Sequence, residues 1–331
     1  FALQSAPTET APMAMGLPVV DLPPPKASTP QVEMPATSVE QAPVVEDAPV
    51  LVEAATGTTS STSIDTSVLT RDLYAAAQRG RVESALALLE AGADPHGPPE
   101  ADARDRRSLA VLASVLPDLR LLRALIERGV DVNAMDGGLN PLLAATRDSW
   151  HGRPEAVMTL LTNGADVHVT DADGNTPLHH AARSSDPGVA ALLRDAGADI
   201  DALNGDGISP LGSACASGNW RLAKFLLERG AKPEPAGGQP TLLSAAGSED
   251  DDPAGVQFLL RNKARVNTAD AGGRTALHEA AAAGHAAIGR ALLDAGADHG
   301  ARDAEGRTPL LDAARAGALP VLERLLAAGA D

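Results

Sequence analysis

The chain has 331 residues, a formal net charge of −17, 44% hydrophobic residues and only 2% aromatics. That supplies ample apolar material but few bulky rings to fill the centre of one large globule, so thin layers packed with Ala and Leu are expected. The balance of 27 Lys and Arg against 44 Asp and Glu argues against nucleic-acid binding, and a single cysteine excludes an internal disulfide.

Residues 1–67 read as a disordered leader. Ten prolines from Pro7 to Pro49 forbid helices and remove ladder donors, acids such as Glu9, Asp21 and Glu46 are spread through it, and Lys26 is its only base. Such a segment buries too little apolar area to offset its ordering entropy, so it is expected to act as a semi-extended spacer. The chain starts at Phe1 and stops at Asp331 inside a repeated motif, and both ends read as cuts. No apolar run reaches the length of a membrane span, so direct membrane insertion is not expected. Cytoplasmic location is favoured, with periplasm or secretion left open by whatever precedes Phe1. The excess of Ala, Gly and Pro, with Arg far above Lys, reads as a GC-rich bacterial composition.

From about residue 68 the chain repeats. Leu88–Asp94 reads LLEAGAD, Leu160–Asp166 LLTNGAD, Leu226–Lys232 LLERGAK and Leu292–Asp298 LLDAGAD. Gly164, Gly197 and Gly230 are 33 apart, as are Gly296 and Gly329, with Lys263 standing at the glycine position between them. A fixed period of this size means a solenoid. About twelve residues after each glycine comes a second motif: GNTPLHHAA (Gly174–Ala182), GISPLGSAC (Gly207–Cys215), GRTALHEAA (Gly273–Ala281) and GRTPLLDAA (Gly306–Ala314). With these motifs, residues 69–331 resemble the ankyrin-repeat family in about eight units. The fold expected is all-α: a solenoid of helix-turn-helix units joined by short β-hairpin loops.

Each unit can be argued from its residues. Thr176 before Pro177 is a helix N-cap followed by proline at the first helical position. Leu178, Ala181 and Ala182 share one face, and Leu192–Leu193 lie on the second helix. Gly197 ends that helix in a left-handed cap, and Asp173-Gly174 and Asp206-Gly207 turn the chain back. Several units depart from this pattern. Lys263 takes a glycine's place where positive φ is expected, at a cost of about 1 kcal/mol. The unit from Arg107 to Asn133 lacks the second motif. Loops are inserted at Arg147–Glu155 and Gly247–Gly255.

No nucleophile motif, phosphate loop or zinc spacing is present, so no catalytic residue, metal site or cofactor is assigned. His179 and His278 stand at the motif histidine, for which the resemblance implies a bond within its own turn; His180 points elsewhere and makes no ligand pair. Cys215 reads as a small core residue, and Asp250–Asp252 as a solvated loop or a contact for a basic partner. The resemblance also implies binding of a partner protein, of basic or mixed charge, through hairpin tips and the concave face of the first helices. The residues so placed are Asp173, Asn175, Asp206, Ile208, Arg274, Glu305 and Arg307, with Arg183 at a first-helix end and Trp150 in the first inserted loop. Trp220 is open between an interface anchor and a packed ring. Two other functions are compatible with the chain: the targeting or regulatory part of a longer enzyme, and an immunity or inhibitor protein that masks a toxin or enzyme.

Overall fold

Among the described residues, a helix starts at each Thr-Pro and Ser-Pro pair, and these pairs lie whole repeats apart. Ser209 Oγ accepts from Gly212 N at 3.2 Å, and Thr308 Oγ1 from Leu311 N at 3.4 Å, with Pro210 and Pro309 in the first turn. Asn140 does the same before Pro141, accepting from Leu143 N at 2.8 Å. The computed structural model describes residues 65–98, 105–147, 153–182 and 187–331. The leader expected over residues 1–67 thus lies, up to residue 64, outside the described residues, as do Trp150 and Arg183.

The described residues form sixteen helices in eight pairs. The first helices are α1 (Thr66–Gln78), α3 (Leu109–Ser114), α5 (Pro141–Arg147), α7 (Pro177–Ala181), α9 (Pro210–Ala216), α11 (Thr241–Ala246), α13 (Ala276–Ala283) and α15 (Pro309–Ala316). The second helices are α2 (Val82–Glu90), α4 (Arg120–Glu127), α6 (Pro154–Thr162), α8 (Gly188–Asp195), α10 (Trp220–Glu228), α12 (Ala254–Arg261), α14 (Ala286–Asp294) and α16 (Leu319–Ala327). First helices stack on first helices and second on second. The core is a column of Leu and Ala with no exposed surface, among them Leu178, Ala182, Leu193, Leu211, Ala223 and Leu259. Small Ala side chains let helix axes approach closely, and each unit buries its apolar face only against its neighbours. Cys215 belongs to this column, and burial pushes its thiol far up.

Polar bonds between units fix the stacking register. His179 Nδ1 accepts from Thr176 N at 3.1 Å within its own turn, while Nε2 donates to the Ile208 carbonyl of the next unit at 2.9 Å. His278 repeats this with Thr275 and the Arg307 carbonyl, at 3.2 and 3.1 Å. The motif histidine therefore binds its own turn, as expected, and also reaches forward one repeat. Asn219 donates backward to the Ala182 carbonyl at 3.0 Å, and His285 lies 3.0 Å from that of Ala246. Trp220 lies against α12. A Cβ built on Gly255 would come within 2.0 Å of its ring, so glycine is what lets the indole lie flat on the neighbouring helix. That makes Trp220 an inter-repeat packing residue.

Among the described residues, Lys263 alone adopts positive φ without being glycine, at 73°. The corresponding Gly230 and Gly296 have 94° and 87°.

Candidate protein-binding surface

Four of the hairpins are built on an Asp or Asn three residues before a glycine. Asp171 Oδ1 accepts from Asp173 N and Asn175 N at 3.0 and 2.8 Å, and Asn204 Oδ1 from Asp206 N and Ile208 N at 3.1 and 2.9 Å. Asp270 and Asp303 do likewise for Gly272 and Arg274, and for Glu305 and Arg307. These side chains close the turn locally, and a glycine then supplies the left-handed residue, as at Gly174 with φ 78°. Neighbouring hairpins are tied by backbone bonds: Gly205 N to the Asp173 carbonyl at 2.8 Å, Gln239 N to that of Gly207 at 2.7 Å, and Ala304 N to that of Gly272 at 2.8 Å.

This ladder sorts the site residues expected from the sequence. Asp173, Asp206 and Glu305 project from the tips and are exposed. Asn175 is half-buried and accepts from Asn204 Nδ2 at 2.9 Å, so it joins hairpins to one another. Ile208 is half-buried, with its carbonyl held by His179. Trp150 and Arg183 lie outside the described residues.

The two arginines are both engaged by carboxylates of the array itself. Arg274, only 22% exposed, lies 2.7 Å from Glu279, 3.2 Å from Asp312 and 3.8 Å from Asp303. Arg307 lies 2.7 Å from Asp303 and 2.6 Å from Glu305. Burial opposes the charge on Arg274, yet Glu279 and the aspartates hold its pKa above the ordinary value. Burial likewise opposes the charge on Asp303, and the bond from Arg307 holds its carboxyl below the usual range. The cluster ties unit 7 to unit 8, so Arg274 is not the solvent-facing residue that the motif position suggested. His180 is buried 2.8 Å from Asp171. Burial opposes the Asp171 charge, but bonds from Asn175 and His180 hold its carboxyl below the usual range.

The inserted loop at Gly247–Gly255 also differs from expectation. Asp251 accepts from Ala287 N and Ile288 N, each at 2.9 Å, at the start of α14 in the next unit. Asp252 accepts from Ala254 N at 2.9 Å at the start of its own α12. The acidic run is therefore partly a helix-capping device acting across repeats. Sequence reading missed this because the capped helix begins 35 residues later. It also missed the turn-closing Asp171, Asn204, Asp270 and Asp303, although their constant spacing before the glycine was there to be found.

Among the described residues, no group of three or more His, Cys, Asp and Glu could hold a metal ion, and no helix is long and apolar enough to cross a membrane.

The family model for ankyrin repeats matches residues 142–236 and 242–331, more than half the chain. The chain belongs to the ankyrin-repeat family, whose arrays are protein-interaction modules. It is 39% identical to protein PhlB of Serratia liquefaciens over 103 residues, 30% of this chain and 42% of PhlB. It is 33% identical to human cyclin-dependent kinase 4 inhibitor B over 126 residues, 38% of this chain and 86% of that protein. Among solved structures it resembles the ankyrin-repeat domain of Bcl-3, a member of the IkappaB protein family, with a TM-score of 0.53 and 27% identity. That match covers 68% of this chain and all of the Bcl-3 domain. The chain thus spans less than half the length of PhlB.

Proposed function

We propose that the array is a non-catalytic scaffold that docks a partner protein along its hairpin tips and first-helix face, and that the partner presents basic side chains there. The observation that carries this is the set Asp173, Asp206 and Glu305: exposed carboxylates on turns whose backbones are pinned, in a chain of net charge −17. Pinned turns lose little entropy on binding, and complementary charge speeds encounter and selects the partner. In the same reading, the residues ahead of α1 act as a spacer, ending at about residue 64 and not at 67, because Thr66 and Ser67 belong to the first helix. An inhibitor that masks an enzyme is a second reading, favoured by the likeness to human cyclin-dependent kinase 4 inhibitor B.

The test is affinity capture from native lysate, followed by comparison with the variant Asp173→Lys, Asp206→Lys, Glu305→Lys. The captured partner should bind the variant at least tenfold more weakly, and the loss should shrink as salt is raised. Equal binding of wild type and variant would reject the hairpin surface.

A further inference from the structure

Six of the eight units end their second helix with a glycine followed two residues later by Asp: Asp94, Asp131, Asp166, Asp199, Asp298 and Asp331. Units 5 and 6 break this rule together. There the positions hold Lys232 and Arg265, and unit 6 also replaces the glycine with Lys263. Three of the chain's four lysines fall in these two units, and cations stand at two successive positions where the other six units carry Asp.

This island of cations is a surface feature. Arg229, Lys232 and Arg265 have side chains 49%, 66% and 75% exposed, and Arg261 and Lys263 are exposed as well. Their carboxylate neighbours are loose: Arg229 lies 3.8 Å from Asp195, Lys232 3.6 Å from Asp201 and Arg265 3.6 Å from Glu234. Exposed pairs at such distances hold their cations weakly. The two loops are neighbours, because Arg265 N donates to Glu234 Oε1 at 2.8 Å. Phe225 and Phe258 occupy the same position on α10 and α12, both half-buried, and the Arg229 guanidinium lies 4.8 Å from the Phe225 ring centre.

Lys263 is an independent sign. It holds a left-handed conformation, φ 73°, that the other seven units give to glycine. The fold alone favours glycine there, and a non-glycine residue in this strained conformation is a reason to look for a role at that position.

We propose that this island is a second docking surface, which binds an acidic segment of a partner protein carrying one or two apolar side chains. The carboxylates would engage Lys232, Lys263 and Arg265, and the apolar groups would lie on Phe225 and Phe258. Two stacked repeats span about 20 Å, the length of about six residues of extended chain. A short acidic segment fits within that span. A nucleic acid strand would run on over neighbouring units whose corresponding residues are Asp199 and Asp298. The proposal rests on the array being a protein-docking module, but its sign is opposite to that of the hairpin surface, so the two fail separately.

The test is selection of a displayed random-peptide library on the intact protein and on the variant Lys232→Asp, Lys263→Gly, Arg265→Asp. Those substitutions install what the other units carry, and thermal melting verifies the fold. A milder variant, Lys232→Gln with Arg265→Gln, gives a second reading if the first is poorly folded. Peptides recovered on wild type should be net acidic with an aliphatic or aromatic residue. In fluorescence anisotropy they should lose at least tenfold affinity on the first variant and threefold on the second. They should bind Asp173→Ser, Glu305→Ser normally. The idea is overturned if no acidic class is enriched, if both variants bind like wild type, or if a single-stranded oligonucleotide binds the island more tightly than the best peptide.

Discussion

Reversing the charge of Arg274 should loosen the C-terminal end of the array. The guanidinium lies within 4 Å of Glu279, Asp303 and Asp312, on two units, and is only 22% exposed. Removing one partner from a fully buried ionic cluster costs about 3–5 kcal/mol. The partial exposure of Arg274 lets water screen some of that, so about 2–3 kcal/mol is expected for Arg274→Met. Arg274→Glu adds repulsion. Two like charges about 4 Å apart cost about 4 kcal/mol at an effective dielectric constant of about 20, and rotation of the new side chain into solvent relieves part of it. The total expected for Arg274→Glu is about 4 kcal/mol. In a stack of nearest-neighbour contacts the loss should fall on units 7 and 8. Urea unfolding by circular dichroism reads the magnitude, and hydrogen exchange with mass spectrometry should show α13 to α16 opening first. Arg290→Glu is the control, since Arg290 pairs only loosely with Asp294, at 3.6 Å, and is 63% exposed; it should cost less than about 0.5 kcal/mol. A midpoint for Arg274→Glu equal to that of the control would refute the reasoning.

Asp251→Ala should remove the cap on α14 and cost about 1 kcal/mol, the usual scale for a helix N-cap, whereas Asp250→Ala should change nothing measurable. Equal urea midpoints for the two variants would show that the cross-repeat cap is energetically idle. The array should also lose stability as pH falls below about 6.5, the ordinary His value, because burial holds the His179 pKa below it. The unfolded chain then takes up the proton first. The contribution is whole above 6.5 and is lost as pH falls toward the folded value. His179→Gln should flatten the difference in urea midpoint between pH 7.5 and 5.5, and an unchanged slope would count against this account.

The repeat architecture was legible because its signals are local and periodic. Thr176-Pro177 starts a helix, Gly197 ends one, and Lys263 could be recognised from its place in the count alone. The contact surface was far less legible. Arg274 and Arg307 stand at tip positions, and only the folded chain shows that Asp303 and Asp312, from 29 to 38 residues onward, claim Arg274. Trp220 could not be assigned without knowing that Gly255 lies beneath its ring. Asp251 looked like one acid in a run of three because the helix it caps belongs to another unit. Such pairings are set by stacking, which brings together residues about one period apart, whereas the motifs describe what happens within a period.

The capping loop after α11 also bears on how such an array can change over time. A 33-residue unit is in principle a brick that can be duplicated, deleted or moved, since the helix pairs stack on one another in the same way along the array. Unit 6 adds a tie of its own: its Asp251 accepts from the free amides of Ala287 and Ile288 at the start of the next unit's second helix. Unit 7 is fastened forward in turn, through Arg274, to the aspartates of unit 8. Removing or exchanging any one of the last three units would therefore break a cap or an ion pair as well as the stacking, a cost that falls on the neighbour left behind.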